Sequence, residues 1–384
     1  MALIFWLFLF LIIYCFFGYP LLLVIAEKIV HRPVKKSPIK PAVSIVISAW
    51  NEEDVIEHKI KNLLSLDYPA DKIEILIGSD GSDDRTNEMV RSFQDPRVVL
   101  LEHHQRRGKM MTINELVAKA KHEIIVFNDA RQEIAPDAIS QLVANLSDPT
   151  IGCVSGELIF RKQEGATAKG INLYWEYEKF MRNKEARIHS MLGATGAIYA
   201  IRRELFIPVP PAIVLDDMHI PFKIIERGYR AIFEPQAKAF DDVADDPKEE
   251  YRRKTRTLFG NFQIFRQFAH MFNPFTSPIA IQLFSHKFLR VVVPFLMPAL
   301  LITNVFLLEN AIFRWMMFAQ LVFYAMAGVG AWGRNRKMGT LHYINKVCYI
   351  PYVFCLLNFS VFIGFWRFIH SNQEITWQKA REKQ

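Results

Sequence analysis

Two clusters of short polar and acidic side chains follow apolar segments that have the pattern of β-strands. The first cluster, Asn51–Glu53, comes directly after Val43–Ala49, and the second, Asp80–Asp84, comes after Ile73–Ser79. Short acidic side chains at strand ends can accept hydrogen bonds from a nucleotide base or a ribose, while Gly81 lets the backbone turn tightly. Capping of the following helices by the same side chains is the alternative role for each cluster.

The elements that must position these side chains form an alternating series in the middle of the chain. Strands are predicted at Val43–Ala49, Ile73–Ser79, Val98–Glu102 and Glu123–Phe127, with helical spacing of apolar residues between them. This alternation predicts an α/β domain, namely a Rossmann-like, mainly parallel sheet with helices on both faces. Ligands bind such sheets outside the carboxyl ends of the strands, where both polar clusters lie.

The ends of the chain have a different character from the middle. The 384 residues are 51% hydrophobic and only 22% charged, with a net charge of +8, a composition that excludes global disorder. A bilayer core of about 30 Å requires roughly 20 apolar residues in a helix, so uncharged runs of this length predict an integral membrane protein. The last run is expected either to span the bilayer or to lie in its interface. The runs are Met1–Ala26, Val291–Leu308, Trp315–Gly333 and Val347–Trp366.

Basic residues close to the apolar runs predict the orientation. Lys28, Arg32, Lys35 and Lys36 follow the first run, which favours a cytosolic middle domain. Because such flanks account for most of the net charge, nucleic acid is not an expected partner. The expected organisation is an N-terminal transmembrane helix (1–27), a cytosolic domain (28–270), an interfacial amphipathic helix (271–290), C-terminal transmembrane or interfacial helices (291–370) and a tail (371–384).

Three segments in order resemble the nucleotide-binding half of the inverting family 2 glycosyltransferases, which have the type A fold. They are VSIVISAWNEE (43–53), SDGSDDRT (79–86) and the basic loop RRGK (106–109). Ser48 and Trp50 stand where the family usually has proline and tyrosine. The resemblance implies a nucleotide diphosphate sugar as donor, with a UDP-sugar expected. The residues implied to bind it are Ala49, Asn51, Glu52, Asp80, Gly81 and Lys109.

Asp129 and Arg131 follow the fourth predicted strand, where the family usually has two carboxylates that hold a divalent metal against the diphosphate. The resemblance therefore implies Mg²⁺ or Mn²⁺, hard cations that take carboxylate and phosphate oxygens. Two roles stay open. Asp129 holds the metal with help from phosphate and water, which we expect, or Arg131 itself supplies positive charge to the diphosphate. In both cases Arg131 is expected beside the nucleotide sugar.

The segment Leu215–Asp217 resembles the acidic pair that carries the general base of the family, which places the base at Asp217. A pair of aspartates that opens a helix is the alternative explanation. Membrane-bound synthases of cellulose, chitin and hyaluronan have the motif Q-x-x-R-W-x-x-G-x-x-Q in the position of residues 253–263. The resemblance implies a catalytic Arg256 on the diphosphate, with Arg253 also on the donor side.

Thr257 stands where those synthases have tryptophan, so it offers no aromatic face to an acceptor sugar. We nevertheless expect the acceptor to approach from this side of the site. The residues expected there are Gly193, Thr195, Asp216 and Thr257.

Together, these patterns predict an inverting, metal-assisted hexosyltransferase at the cytosolic face of a bacterial inner membrane. It would transfer a sugar from a nucleotide diphosphate sugar to a glycan or lipid-linked acceptor, in polysaccharide or glycolipid synthesis, with partner subunits for export. Two alternatives stay open. One is transfer of a single sugar to polyprenyl phosphate or another lipid, and the other is a catalytically impaired subunit that binds a nucleotide sugar and regulates a partner synthase.

Overall fold

The structure is a computed structural model that describes residues 1–161, 166–242, 247–333 and 342–370, with the backbone alone for 166–174, 247–254 and 342–346. The strands are β1 (Val43–Ala49), β2 (Ile73–Asp80), β3 (Val98–His103), β4 (Ile124–Asn128), β5 (Glu133–Ile134), β6 (Ile151–Phe160), β7 (Ile198–Arg202) and β8 (Arg230–Asp241). The helices are α1 (Ala2–Val30), α2 (Ile56–Leu64), α3 (Thr86–Ser92), α4 (Lys109–Lys119), α5 (Ala138–Asn145), α6 (Ala166–Ile188), α7 (Asp216–Glu226), α8 (Pro247–Gln267), α9 (Ala280–Val305), α10 (Ala311–Gly333) and α11 (His342–His370).

The strands form one sheet in the order β3-β2-β1-β4-β7-β6-β8-β5. β1 is parallel to β2 and β4, β2 is parallel to β3, and β6 is parallel to β8, whereas β7 and β5 run antiparallel to their neighbours. The predicted mainly parallel α/β sheet is confirmed. β2 and β4 are buried along their whole length, as expected for strands that helices cover on both faces.

Apolar spacing along the sequence also predicts a helix at Glu52–Leu64, a helix that starts at Pro136 and a strand at Arg230–Phe233, and the structure moves one boundary of each. β8 continues to Asp241, because its second half pairs with β6 and with the short strand β5. Helix α2 begins at Ile56 rather than at Glu52, since the residues before it form the turn that leaves β1. The helix predicted to start at Pro136 begins at Ala138.

Within the described residues, four helices are long and apolar enough to cross a membrane. The last apolar run, which was expected either to span the bilayer or to lie in its interface, forms one of these four helices. These helices fit the predicted membrane-integrated enzyme, which has apolar helices at both ends of the α/β domain. The four segments are Ala2–Val30, Ala280–Val305, Ala311–Gly333 and Val347–His370.

Residues 271–290 do not form the separate interfacial helix that was expected. Helix α9 instead begins at Ala280 and runs through one π-type turn into the apolar segment that ends at Val305. The basic residues that suggested an interfacial helix have partners on α6: His286 Nδ1 lies 2.7 Å from Glu185 Oε1, and Arg290 pairs with Glu178. Because carboxylates compensate these charges inside the protein, this part of α9 does not need contact with water.

The C-terminal helix α11 packs directly on α8 of the α/β domain. Gly364 lies against Leu258, since a Cβ on this glycine would come within 2.6 Å of Leu258 Cβ. The Phe262 ring stacks on Phe368 and is tilted against Phe365, with centroid distances of 5.5 and 5.2 Å. An apolar helix therefore supports the helix that carries Arg256. The tail, 371–384, lies outside the described residues.

Candidate active site

The carboxyl ends of β1, β2 and β4 bring the first polar clusters together at one edge of the sheet. Asn51 has a left-handed backbone (φ 52°), and its side chain joins the turns after β1 and β2. Asn51 Nδ2 donates to Asp83 Oδ1 (2.5 Å), and the Asp83 backbone N–H donates to Asn51 Oδ1 (3.0 Å). No side chain caps α2, whereas Asp84 Oδ1 of the second cluster accepts a hydrogen bond from the backbone N–H of Thr86 (2.9 Å), the first residue of α3. The capping alternative therefore applies to Asp84.

Asp80 is only 3% exposed and organises the basic loop 106–109. Its two carboxylate oxygens accept hydrogen bonds from the backbone N–H groups of Arg107 (2.7 Å) and Gly108 (2.9 Å). Gly81 makes this approach feasible. Its φ is +69°, and a Cβ there would lie 2.7 Å from the backbone nitrogen of Arg106.

The loop also closes over the end of β1. The Arg106 guanidinium lies 3.4 Å from the ring centroid of Trp50, so a cation–π contact covers the residue after Ala49. Ala49 itself is buried at the end of β1, beside the turn that Asn51 begins.

Three aspartates form an acid cluster at the centre of this edge: Asp129, Asp216 and Asp217. Gly196 separates two of them, because a Cβ on this glycine would lie 3.7 Å from Asp129 Oδ2 and 3.6 Å from Asp217 Oδ2. Lys109 Nζ, at the start of α4, lies 3.1 Å from Asp129 Oδ1 and 3.4 Å from Asp216 Oδ1. A small cleft lies between Lys109, Asp129, Gly196 and Asp216.

The electrostatics of the acid cluster suit proton transfer. Burial and, after it, the neighbouring Asp216 carboxylate raise the pKa of Asp217 to about 6 against the opposing charge of Lys109. Burial would lower the pKa of Lys109, but Asp129 and Asp216 reverse this and hold it above its ordinary value. Asp217 can therefore exchange a proton near neutral pH, close to the charged ammonium group of Lys109.

Helix α8 brings Arg256 to the same cluster. Burial lowers the pKa of the Arg256 guanidinium, and the three carboxylates of the acid cluster oppose that change. The guanidinium still remains charged, because the ordinary pKa of arginine is far above neutrality. Five charged groups from distant parts of the chain, three carboxylates and two cations, thus share one site.

Two further residues of α8 hold the segment that leads to the acid pair. A Cβ on Gly260 would lie 2.5 Å from Leu215 Cγ, so no larger residue fits between them. Gln263 accepts a hydrogen bond from the backbone N–H of Val214 (3.1 Å) and donates to the carbonyl of Ala212 (2.8 Å). The glycine and glutamine of the predicted motif therefore position the acids of α7.

Arg131 points to Glu52 rather than to the acid cluster. Its Nε lies 3.3 Å from Glu52 Oε2, and the carboxylate is 2% exposed. This pair joins the turn after β1 to the loop after β4, and each partner was expected separately at the nucleotide sugar. The side chain of Arg253 lies outside the described residues.

The expected acceptor residues are only partly together. Gly193 has a φ of +110° and lies against Met218, while Asp216 belongs to the acid cluster. Thr195 accepts a hydrogen bond from Arg182 Nη1 (2.7 Å), and its backbone N–H donates to Ser155 Oγ (2.8 Å). Thr257 is exposed on α8.

Sequence reasoning missed two basic residues. Arg182, on α6, reaches Thr195, and its charge opposes the raised pKa of Asp217. Lys59, on α2, is 1% exposed, and burial lowers its pKa to about 7, while Asp129 and Glu133 oppose that change. Neither residue lies in a motif, and a lysine within an amphipathic helix is usually exposed, so no local signal identifies them.

Comparison with known proteins matches residues 44–209 to Glycosyl transferase family 2. These residues are therefore similar to a family 2 glycosyltransferase domain. The match includes the turns after β1 and β2 and Asp129 but ends before Asp217 and Arg256. The placement of those two residues at the same site therefore depends on the geometry described above.

Two curated relatives of the chain come from bacteria. The probable glycosyltransferase YdaM of Bacillus subtilis is 26% identical over 246 residues, which cover 60% of this chain and 58% of the relative. The poly-β-1,6-N-acetyl-D-glucosamine synthase of Staphylococcus aureus is 24% identical over 231 residues, which cover 58% of this chain and 55% of the relative. The chain thus spans little more than half the length of the curated relatives it matches.

Among solved structures, the mannosyltransferase PcManGT from Pyrobaculum calidifontis, determined in complex with GDP-Man and Mn²⁺, has the same fold. It superposes with a TM-score of 0.71 at 23% identity, over 94% of this chain and 98% of the other. The likeness therefore extends over the apolar helices as well as the α/β domain.

Proposed function

We propose that this glycosyltransferase is an inverting hexosyltransferase that transfers a sugar from a nucleotide diphosphate sugar to a glycan or lipid-linked acceptor. The observation that carries the proposal is the pair of carboxylates on the two sides of Gly196, with Lys109 beside Asp129. A base and a diphosphate-binding region must lie this close together, because proton removal and departure of the leaving group occur in one step.

In the proposed reaction, the acceptor hydroxyl oxygen forms a bond to the anomeric carbon of the donor sugar. The bond from that carbon to the diphosphate oxygen breaks, and the nucleoside diphosphate leaves with the bonding electrons. Asp217 accepts the hydroxyl proton, a role for which a pKa of about 6 is well suited. Attack opposite to the leaving group inverts the anomeric configuration.

Lys109 and Arg256 have complementary roles in this proposal. Both are charged groups next to the acid cluster, so they can stabilise the negative charge that develops on the departing diphosphate. Arginine offers a planar fork that suits phosphate oxygens. The turns held by Asn51 and Asp80 bind the nucleoside part of the donor in this proposal. The proposed donor is a UDP-sugar.

The carboxylate oxygens of Asp129 are suitable ligands for a hard divalent cation, Mg²⁺ or Mn²⁺. The Asp129 side chain is 41% exposed, and one of its oxygens faces Gly196 while the other faces Lys109. Within the part of the chain that the structure describes, no group of three or more metal-ligating side chains could hold an ion. A cation that takes one or two carboxylates and completes its shell with phosphate oxygens and water fits this arrangement. Such a cation would neutralise diphosphate charge when bound.

We place the catalytic domain in the cytosol of a bacterial cell, at the inner membrane. The support is the set of basic residues between α1 and β1, which favours the cytosolic side of a bilayer. Nucleotide sugars as donors agree with that location. The poly-β-1,6-N-acetyl-D-glucosamine synthase among the relatives supports polysaccharide synthesis as the broader role, with export partners as a further proposal.

The deciding experiment incubates the purified full chain, in detergent or nanodiscs, with a panel of nucleotide diphosphate sugars and measures release of nucleoside diphosphate. We expect release with one donor class in the presence of Mg²⁺ or Mn²⁺, and its loss in Asp217→Asn. Binding of a nucleotide sugar without release by the wild type would instead favour a regulatory subunit.

A further inference from the structure

A short segment, residues 193–197, lies between two parts of the candidate site. A Cβ on Gly196 would lie 3.6 Å from Asp217 Oδ2 and 3.7 Å from Asp129 Oδ2, so the backbone of this glycine lies between the two carboxylates. The position of the segment therefore affects the distance between the proposed base and the proposed cation ligand.

Hydrogen bonds hold both ends of this segment. The backbone N–H of Ala194 donates to the carbonyl of Asp217 (2.6 Å), and the side chain of Asn128 donates to the carbonyl of Ala197. Asn128 comes directly before Asp129 in the chain. One end of the segment is thus tied to the residue that carries the proposed base, and the other end to the residue that precedes the proposed cation ligand.

The middle of the segment is held through Thr195, which is only 9% exposed. Its backbone N–H donates to Ser155 Oγ of β6 (2.8 Å), and its Oγ1 accepts a hydrogen bond from Arg182 Nη1 of α6 (2.7 Å). A hydrogen bond with a charged donor is stronger than one between neutral groups. Arg182 therefore joins the middle of the segment firmly to a helix outside the sheet.

Helix α6 is in turn fixed to the apolar helices on both sides of Arg182. Glu178 pairs with Arg290 of α9, and Glu185 accepts a hydrogen bond from the Tyr19 hydroxyl of α1 (2.8 Å). Glu178 lies four residues before Arg182 and Glu185 three residues after it, and side chains with this spacing lie on neighbouring positions of a helix surface. The position of Arg182 therefore depends on α1 and α9.

Arg182 also acts on the base through its charge. Burial is the largest cause that raises the pKa of Asp217 to about 6, and Arg182 and Lys109 are cations that oppose this change. A nearby positive charge favours the ionised form of a carboxyl group. The guanidinium of Arg182 thus lies near the proposed base as well as near the segment beside it.

We propose that Arg182 is a positioning residue, which holds the segment 193–197 through Thr195 and thereby places the base. The role rests on the proposed function, because Asp217 is a base only in that reaction. It adds the apolar helices to the elements that position the site: α1 and α9 hold α6, and α6 holds the segment through Arg182. The hydroxyl of Thr195, which was expected at the acceptor, accepts from Arg182 instead.

The test is a double-mutant cycle in the full chain in nanodiscs, which measures release of nucleoside diphosphate from the donor that the wild type cleaves. Thr195→Val keeps the shape of the side chain but removes the accepting oxygen, and Arg182→Met removes the donor. In each variant kcat should fall by roughly tenfold to a hundredfold, with a donor KM within about twofold of the wild type, because the displacement affects the base rather than donor binding. The double variant should lose no more than the more impaired single variant, since both changes break the same bond.

Conservative variants and a matched control accompany the cycle. Thr195→Ser keeps the hydroxyl and should retain most of the wild-type kcat. Arg182→Lys keeps a charged donor but lacks the planar fork, so its kcat should lie between those of the wild type and Arg182→Met. Arg187→Met is the control, because Arg187 is an exposed arginine of α6 whose partner, Glu27, keeps its pair with Lys184. Its kcat should equal that of the wild type.

A wild-type kcat in a folded Arg182→Met protein would overturn the positioning role, and so would losses that multiply in the double variant. A raised donor KM together with a lower midpoint of thermal unfolding would assign Arg182 to the stability of the fold instead. If Thr195→Val does not fold, the comparison of Arg182→Met with Arg182→Lys decides. If the wild type releases no nucleoside diphosphate from any donor, the proposed function fails, and this role fails with it.

Discussion

Gly260 of α8 lies directly against Leu215, the residue that precedes the acid pair of α7, and a Cβ on Gly260 would come within 2.5 Å of Leu215 Cγ. The contact connects three parts of the molecule. Leu258, two residues earlier on α8, packs against Gly364 of the C-terminal apolar helix. The position of the acid pair therefore depends on a helix that is supported by a candidate membrane span.

The first prediction follows from this contact. Gly260→Ala should displace Leu215 and with it Asp217, and because small misplacements of catalytic groups are costly, kcat should fall by roughly tenfold to a hundredfold. Gly328→Ala is the control, since a Cβ on Gly328 in α10 meets no atom within 4 Å. Rates and thermal unfolding are measured for both variants. Equal kcat values in a folded Gly260→Ala protein would show that the contact does not position the acids.

The second prediction concerns the base. Asp217→Asn keeps the shape of the side chain but cannot accept a proton, so turnover should decrease by roughly a hundredfold or more, while binding of the nucleotide sugar changes little. Asp137→Asn, at an exposed position before α5, should leave both quantities unchanged. Unchanged turnover in Asp217→Asn would move the base to Asp216 or elsewhere.

The third prediction is a pH profile. Only the ionised form of Asp217 accepts a proton, so a pKa of about 6 predicts that kcat/KM is level above that pH and declines below it. Asp216 is a neighbouring negative charge that raises this pKa. Asp216→Asn should therefore move the acidic limb of the profile to lower pH. A limb that stays in place would mean that Asp217 is not the titrating group.

The fourth prediction separates the two roles considered for Asp129 and Arg131. If Asp129 holds a cation, chelation should abolish turnover, addition of Mg²⁺ or Mn²⁺ should restore it, and Asp129→Ala should remain inactive with added metal. Arg131→Gln should lower activity less, because Arg131 is paired with Glu52. Full activity in chelator together with an inactive Arg131→Gln would assign the diphosphate charge to Arg131 instead.

The fifth prediction concerns stability where the α/β domain meets the apolar helices. The Glu185 carboxylate is fully buried and accepts a hydrogen bond from the Tyr19 hydroxyl (2.8 Å), with His286 Nδ1 2.7 Å away. Glu185→Ala leaves these groups buried without their partner, which should cost about 3 kcal/mol and lower the midpoint of thermal unfolding. Glu57→Ala removes an exposed pair with Lys61 on α2 and should change the midpoint by far less. Similar midpoints would contradict this account.

Much of the architecture follows from local patterns along the chain. The apolar and β-branched composition of Val43–Ala49 and Ile73–Ser79 predicts two strands, which the structure shows to be buried, and the polar residues directly after them mark the edge of the sheet where the candidate site lies. The uncharged runs likewise predict four apolar helices, because the length of a membrane span is a local property of the sequence. Element ends were less accurate, as at β8, since they depend on pairing with distant strands.

The sequence by itself therefore determined the α/β class, the apolar helices and the residue types available for catalysis. Only the tertiary structure decided which of those residues meet: Arg131 with Glu52, 79 positions apart, and Arg182 with the segment that carries Thr195. It also joined residues 280–290 to the apolar segment that follows in one helix, where Glu178 and Glu185 pair with the basic residues of α9. Periodicity and propensity report on neighbours within a few positions along the chain, whereas charge pairing and close packing depend on distances in space.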